Sequence, residues 1–139
     1  MIIVIIIVLA VRKSMKKFSR KREAILQKVQ STTLHPSAEW VYSELKPKIP
    51  DLSLGTVYRN LSGLKKDGVI TSVGAIRGEE RFDGNTSEHS HFICEFCGAV
   101  RDVDVVVDRV LAAEVAARFG GEVTRVNQLF FGKCENCKK

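Results

Sequence analysis

Four cysteines, and no others, stand in the sequence as Cys94-Glu-Phe-Cys97 and Cys134-Glu-Asn-Cys137, two C-x-x-C pairs with 36 residues between them. Each pair presents two thiolates from one tight turn. Two such turns brought together close the tetrahedral sulfur shell of a structural zinc site. Other uses of the same residues fit less well. A disulfide scaffold belongs to exported chains, and a redox C-x-x-C belongs to a βαβ setting that the flanks of these pairs do not supply. One structural Zn2+ per chain on Cys94, Cys97, Cys134 and Cys137 is therefore expected.

Histidine is as sparse as cysteine. Two of the three histidines form His89-Ser-His91, and at strand spacing residues two apart share a face, so both imidazoles can converge on one ion. Asp83 and Asp102 flank this pair in sequence, and His35 falls between two predicted helices. Mixed imidazole and carboxylate ligands suit Mn(II), Fe(II) or Zn(II) better than a soft thiolate metal. Taken alone, the same residues read equally as two surface histidines, a loop histidine and two turn-forming aspartates.

The elements that must carry these groups follow from periodicity. A first helix is expected from Ser19, a candidate cap, to about Thr32, with Ile25, Leu26 and Val29 inward. Leu34, His35 and Pro36 break it. A second should run from Ser37 to about Lys46 with Ala38, Val41, Tyr42 and Leu45 inward, punctuated by Pro47 and Pro50. A third, capped by Ser53, carries Leu54, Val57, Leu61 and Leu64 as one stripe and stops at Gly68, leaving Thr56, Tyr58, Arg59 and Asn60 largely outward. Strands at 69–73 and 80–83 around Gly74 and Gly78 make a hairpin, and three helices with a hairpin make a winged helix-turn-helix. Gly84-Asn-Thr-Ser-Glu88 has almost nothing to bury and reads as a linker. Beyond it a strand around 91–94, an alternating stretch at 100–105, a helix at about 107–119 ended by Gly120 and Gly121, and a strand at about 122–131 form a small α/β unit. The fold class is α+β. The domains are expected at 15–83 for the winged helix, 84–88 for the hinge and 89–139 for the second, metal-binding unit.

At 139 residues, 45% hydrophobic and 27% charged, the chain has room for two small cores but not for a large enzyme fold. Its net charge of +6 is uneven, with seven basic residues and no acid from Arg12 to Arg22. Such a run attracts polyanions, or simply forms a solvated face. Residues 1–14 begin with an apolar block, Met1 to Val11, too short to span a bilayer and with its charges on the wrong side for a secretory signal. Met15 is therefore expected to be the functional start, with no membrane partner and a cytoplasmic location.

The runs His35-Pro-Ser-Ala-Glu39, Ser53-Leu-Gly-Thr-Val-Tyr-Arg-Asn-Leu61, Arg81-Phe-Asp83 and Glu88-His-Ser-His-Phe-Ile-Cys-Glu-Phe-Cys-Gly98 together resemble the ferric uptake regulator family. The resemblance covers about Ser19 to Cys137 and is greatest to the peroxide-sensing repressor branch. It implies a homodimeric repressor with an N-terminal winged helix, a C-terminal dimerisation domain, the four-cysteine zinc, and one regulatory Mn2+ or Fe2+ per chain. By position, His35, Asp83, His89, His91 and Asp102 match the regulatory ligands, and His35 and His89 match the histidines that iron and peroxide oxidise. Iron-responsive relatives tend to carry Glu at the position of Asp83, which tilts the reading toward peroxide. The alternative within the family is an iron or manganese homeostasis sensor. Two features depart from the family's pattern: the apolar block replaces a short amphipathic helix, and no histidine follows His91.

A dimer of winged helices implies double-stranded DNA with an inverted repeat, read in successive major grooves. Arg59 is expected to bond guanine and Tyr58 to pack on a thymine methyl, although partial core burial is the competing reading of Tyr58. Ser53, Thr56, Arg20 and Arg22 would hold phosphates. Outside this class stand a non-haem iron enzyme, which the residues could support but for which no substrate pocket is evident, and a zinc-ribbon interaction module.

Overall fold

The computed structural model describes residues 2–138. Helix α1 (Ile2–Gln30) runs without a break, so Ser19 lies inside it and does not cap it. No glycine or proline occurs in this stretch, and nothing in its backbone chemistry stops helix propagation between the apolar block and the basic run. The side chains of Ile2 to Leu9 are exposed, and no described helix is long and apolar enough to cross a membrane. Among the residues of α1 whose side chains are described, Ile25 and Val29 in its last third enter a core.

Helix α2 (Ala38–Leu45) starts where the Ser37 hydroxyl accepts the Trp40 amide at 3.2 Å. Lys46 then donates to the carbonyls of Pro50 and Leu52, closing the loop into α3 (Leu54–Lys66), which Ser53 caps through the Thr56 amide. Ile25, Val29, Val41, Leu45, Leu52, Val57, Leu61 and Leu64 form one core with Ile70 and Phe82. Each such side chain contributes about 1.5–3 kcal/mol on burial. Asn60 was expected outward but is buried, its amide donating to the Thr56 carbonyl at 2.8 Å. It sits three residues after Val57 and four before Leu64, on the same helical row as the stripe.

The hairpin pairs β1 (Thr71–Ile76) with β2 (Glu79–Asp83). The turn is not Gly74 to Gly78 as expected. It is the two residues Arg77 and Gly78, both at positive φ, which is the signature of a tight hairpin turn. Gly74 lies inside β1, where the register shifts after Ser72 and φ is +116°. The irregularity leaves Val73 facing away from the helices, buried with Ile93 and Val100 of the second half. The hairpin therefore serves two cores, through Ile70 and Phe82 on one side and Val73 on the other.

In the second half β3 (Ser90–Cys94) lies between antiparallel β4 (Val100–Val103) and parallel β5 (Leu129–Gly132). Helix α4 (Arg109–Phe119) connects them, capped by Asp108 and ended by left-handed Gly120. The last strand is much shorter than the expected 122–131. The sequence there is strand-like, but β3 offers a pairing edge only from Ser90 onward. Gly84 in the linker packs against the end of α1, where an added Cβ would lie 2.9 Å from the Gln30 Cα. Gly84→Ala should therefore lower stability by about 1–3 kcal/mol through overpacking. A urea midpoint unchanged from the parent would show that this packing is loose.

Candidate metal centres

Five ligand atoms from four separate places meet in the first centre: His35, Asp83, His89, His91 and Asp102 all lie within 4.8 Å of one another. His35 comes from the α1–α2 loop, Asp83 ends β2, His89 precedes β3, and His91 faces its register partner Asp102 across β3 and β4. Asp83 Oδ2 lies 3.3, 2.8 and 3.0 Å from the Nε2 atoms of His35, His89 and His91. Asp102 Oδ1 lies 2.8, 3.0 and 3.2 Å from the same three nitrogens.

Six short contacts connect three nitrogens to two oxygens, yet three Nε2 atoms supply at most three protons. Hydrogen bonds of one proton each can account for at most three of the six contacts. A divalent ion bonded at about 2.1 Å would place ligands at right angles about 3.0 Å apart, which is the spacing found. The donor set of three imidazoles and two carboxylates suits Fe(II) or Mn(II). Neighbouring groups aim the ligands. The Asn85 amide binds Asp83 Oδ1 at 2.8 Å and frees Oδ2 for the site, and the Ser87 carbonyl takes His89 Nδ1 at 2.6 Å, leaving Nε2 for the ion. These are backbone groups, so no side-chain pattern announces them beyond the turn-forming Asp-Gly-Asn itself. The Nδ1 atoms of His35 and His91 are buried and find no partner among the described residues.

Without an ion, the histidines carry the charge balance. Burial opposes protonation of His35, but Asp83 and Asp102 outweigh it and raise its pKa. His89 shifts up likewise, burial being outweighed by the Ser87 carbonyl and the two aspartates. Burial pushes Asp83 up, but bonds from His35, His91 and the Asn85 amide hold it well below the usual carboxylate range. His35 also sits at φ +53°, a left-handed conformation that costs a non-glycine residue about 1–2 kcal/mol.

The second centre joins Cys94, Cys97, Cys134 and Cys137, again within 4.8 Å. All four are free thiols. Parallel pairing of Cys94 with Gly132 brings the two turns together. Cys97 Sγ and Cys134 Sγ stand 3.8 Å apart, the edge of a sulfur tetrahedron around an ion bonded at about 2.3 Å. The amides of Cys97 and Cys134 lower the Cys94 thiol to about 6, while a hydrogen bond donated to Cys134 and burial push Cys137 up to about 12. These opposite shifts are what closely packed thiols show when their thiolates have no cation to share. Structural zinc fits the site. Arg101 on β4 steadies the second turn through Glu135 at 2.6 and 2.7 Å.

On α3, Tyr58 is 45% exposed, which removes the reading of it as a core residue, and its hydroxyl donates to Glu39. Arg59 is exposed and donates to the Thr56 hydroxyl, which lies 2.8 Å from that of Ser53. Arg20 is exposed, whereas Arg22 is already paired with Asp67 at 2.9 Å.

Metal and protons compete for the same nitrogens. A raised histidine pKa gives the metal-free fold stability that is fully present below about 6.5 and is lost as pH rises through the folded value. Mn(II) affinity should accordingly rise with pH, by about tenfold per unit for each imidazolium displaced. Calorimetry at several pH values between 6 and 8 checks this, and a flat profile would remove the histidines from the ligand set. For the second centre, Cys97→Ser should release zinc and abolish hydrogen-exchange protection of β3 and β5. Retained protection in a zinc-free chain would show that the metal is dispensable there.

The ferric uptake regulator family model matches residues 13–127. The peroxide-responsive repressor PerR of Staphylococcus epidermidis is 34% identical over 133 residues, covering 94% of this chain and 87% of the relative. Its counterpart in Staphylococcus aureus strain USA300 is 30% identical over 129 residues, covering 93% and 87%. Among solved structures, the Campylobacter jejuni peroxide stress regulator superposes with a TM-score of 0.78 at 23% identity, covering 94% of this chain and 98% of that one. The Helicobacter pylori ferric uptake regulator Fur gives 0.76 at 24%, covering 92% and 90%. Together with the two metal centres, these matches show that the chain belongs to the ferric uptake regulator family.

Proposed function

We propose that the chain is a metal-dependent repressor that binds inverted-repeat operator DNA as a homodimer and senses peroxide by oxidation of His35 or His89. The observation that carries the reading is the origin of the five ligands. His35 and Asp83 precede the Gly84–Glu88 hinge, and His89, His91 and Asp102 follow it. All five are available only when the two halves are closed on each other, so an ion binds the closed form better and shifts the population toward it. A hundredfold preference is about 2.7 kcal/mol, enough to swing a nearly balanced hinge.

Closure sets the spacing of two recognition helices in the dimer. Exposed Tyr58 and Arg59 on α3 face the bases, with Ser53, Thr56, Arg20 and Arg22 toward phosphates. Exposed Val106, Val110, Leu111, Phe119, Phe130 and Phe131 leave the second half with an apolar surface of the kind that a partner subunit covers. The domain limits at 15–83 and 89–139 and a cytoplasmic location belong to the same reading. Family membership makes the chain a transcriptional regulator and sets the metalloenzyme aside.

Peroxide specificity rests on Asp83, on the names of the staphylococcal relatives, and on access. His35 and His91 are buried, but His89 and half-exposed Asp102 line a cleft open to solvent. Bound Fe(II) would supply the reducing chemistry that activates peroxide. In net terms one oxygen atom adds to an imidazole ring carbon and the other leaves as water, and the altered ring is a poorer ligand, so closure is lost.

Operator binding measured with Mn(II) and with Fe(II), each with and without peroxide, tests the whole reading. Both metals should tighten binding, only Fe(II) with peroxide should release DNA, and a peptide containing His35 or His89 should gain one oxygen. Release with both peptides unmodified would remove the peroxide mechanism and favour the homeostasis sensor. His89→Ala should lose the metal-dependent part of DNA affinity, and unchanged affinity would favour a zinc-ribbon module.

A further inference from the structure

Arg81 lies on β2, on the wing of a DNA-binding fold, where a guanidinium would ordinarily be a phosphate contact. Its bonds instead turn inward to backbone. Nε donates to the His35 carbonyl, Nη2 donates to the Leu34 carbonyl at 2.7 Å, and Nη1 reaches the Gly98 carbonyl beside the first cysteine turn at 3.5 Å. Burial lowers its pKa, so the group gives up hydration to take these carbonyls.

What those carbonyls belong to makes the contact informative. His35 has φ +53°, and it precedes Pro36, whose ring disfavours helical backbone at the preceding residue. Pro36 and the Cβ of His35 both work against this conformation, and tertiary contacts offset them. Two are present. The Phe82 amide donates to the Pro36 carbonyl at 2.9 Å, and the Arg81 fork spans the carbonyls on either side of the His35 Cα. The next residue in the chain, Asp83, is itself a ligand. Three consecutive residues of β2 thus hold the loop, pin it again and contribute to the site.

We propose that Arg81 is a positioning residue for the regulatory metal: its guanidinium holds the 34–36 loop in the left-handed conformation that delivers the His35 imidazole to the ion. The inference rests on the regulatory-site reading of the five ligands. A lysine cannot replace the fork, because it supplies one donor centre where the loop needs two.

A double-mutant cycle tests it, with Mn(II) as the probe and zinc content checked in each variant. Arg81→Ala should weaken Mn(II) binding by about tenfold or more, and Arg81→Lys should restore little of it. In a His35→Gly background, where the ligand and the unfavourable φ are both gone, Arg81→Ala should change Mn(II) affinity less than about twofold. Arg77→Ala serves as the control, since Arg77 donates to the Glu95 and Phe96 carbonyls of the cysteine turn and not to the His35 loop, and should leave Mn(II) affinity nearly unchanged. Equal losses from Arg81→Ala in both backgrounds would mean a general structural role and overturn the proposal, as would an unaltered affinity in the parent background. Hydrogen exchange on the metal-free protein gives a second measure. Arg81→Ala should remove protection of the Phe82 amide, and retained protection would also overturn it. Failure of the parent chain to bind Mn(II) at all would instead strike the regulatory-site reading, while the exchange measurement still judges the hold of Arg81 on the loop.

Discussion

Two carboxylate oxygens lie against the same three imidazole nitrogens, and that excess of short contacts over available protons is the constraint around which the two halves meet. Buried carboxylates are costly unless they are compensated. Asp83 is buried and Asp102 half-exposed, so the compensating charge must come from imidazolium or from a metal ion. Either choice brings groups from the α1–α2 loop, β2, the hinge and the three-stranded sheet to one point. On the proposed reading, the charge state of a site a few ångströms across biases whether the two small cores stay docked.

The cysteine centre uses similar chemistry for the opposite purpose. Its four ligands lie entirely on one side of the hinge, in turns at the ends of the paired strands β3 and β5, so an ion there does not bridge the halves through its own ligands. Two residues of β3, Phe92 and Ile93, separate its contribution to one centre from its contribution to the other, His91 from Cys94. A fixed sulfur shell anchors the end of the strand whose beginning carries the variable site. Val73 completes the coupling. The bulge at Gly74 turns it out of the helical core and into contact with Ile93 and Val100, neighbours of these same ligands on β3 and β4.

The cysteine centre was legible in the sequence because four cysteines in two pairs leave few ways to combine. The five-ligand centre was legible only through the family resemblance, since His89-Ser-His91, His35 and the two aspartates read equally as surface and turn residues. The cap residues Ser37 and Ser53 and the apolar stripes were legible for a different reason, since each acts within one turn of its own position. Where the reading failed, the deciding partner was distant in sequence or the stop signal was missing. Ser19 resembled a cap only because helix propagation through an apolar block and then a basic run carries no local signature of its end. Gly74 and Gly78 were indistinguishable as turn formers until strand pairing assigned one to a bulge and the other to the turn. The strand-like stretch before Leu129 lacks only an edge to pair with, which sequence periodicity cannot supply. Asn60 was judged by polarity, when its place on the Val57–Leu64 face mattered more.

The energetic scale of the site suits an ion that must come and go. A left-handed backbone at His35 costs about 1–2 kcal/mol, and a hundredfold preference of the ion for the closed form is worth about 2.7 kcal/mol. With a preference of that size, the two would be comparable, and on the proposed reading the loop that delivers one ligand would sit close to its own balance point once the ion leaves. A relaxed loop would hold the histidine in place whether or not metal were present, and the closed form would persist without its signal. A much more strained one would prevent the ion from assembling the site at physiological concentration. The conformation of His35 is therefore best understood as part of the response, set against the bonds from β2 that keep it within reach of the metal.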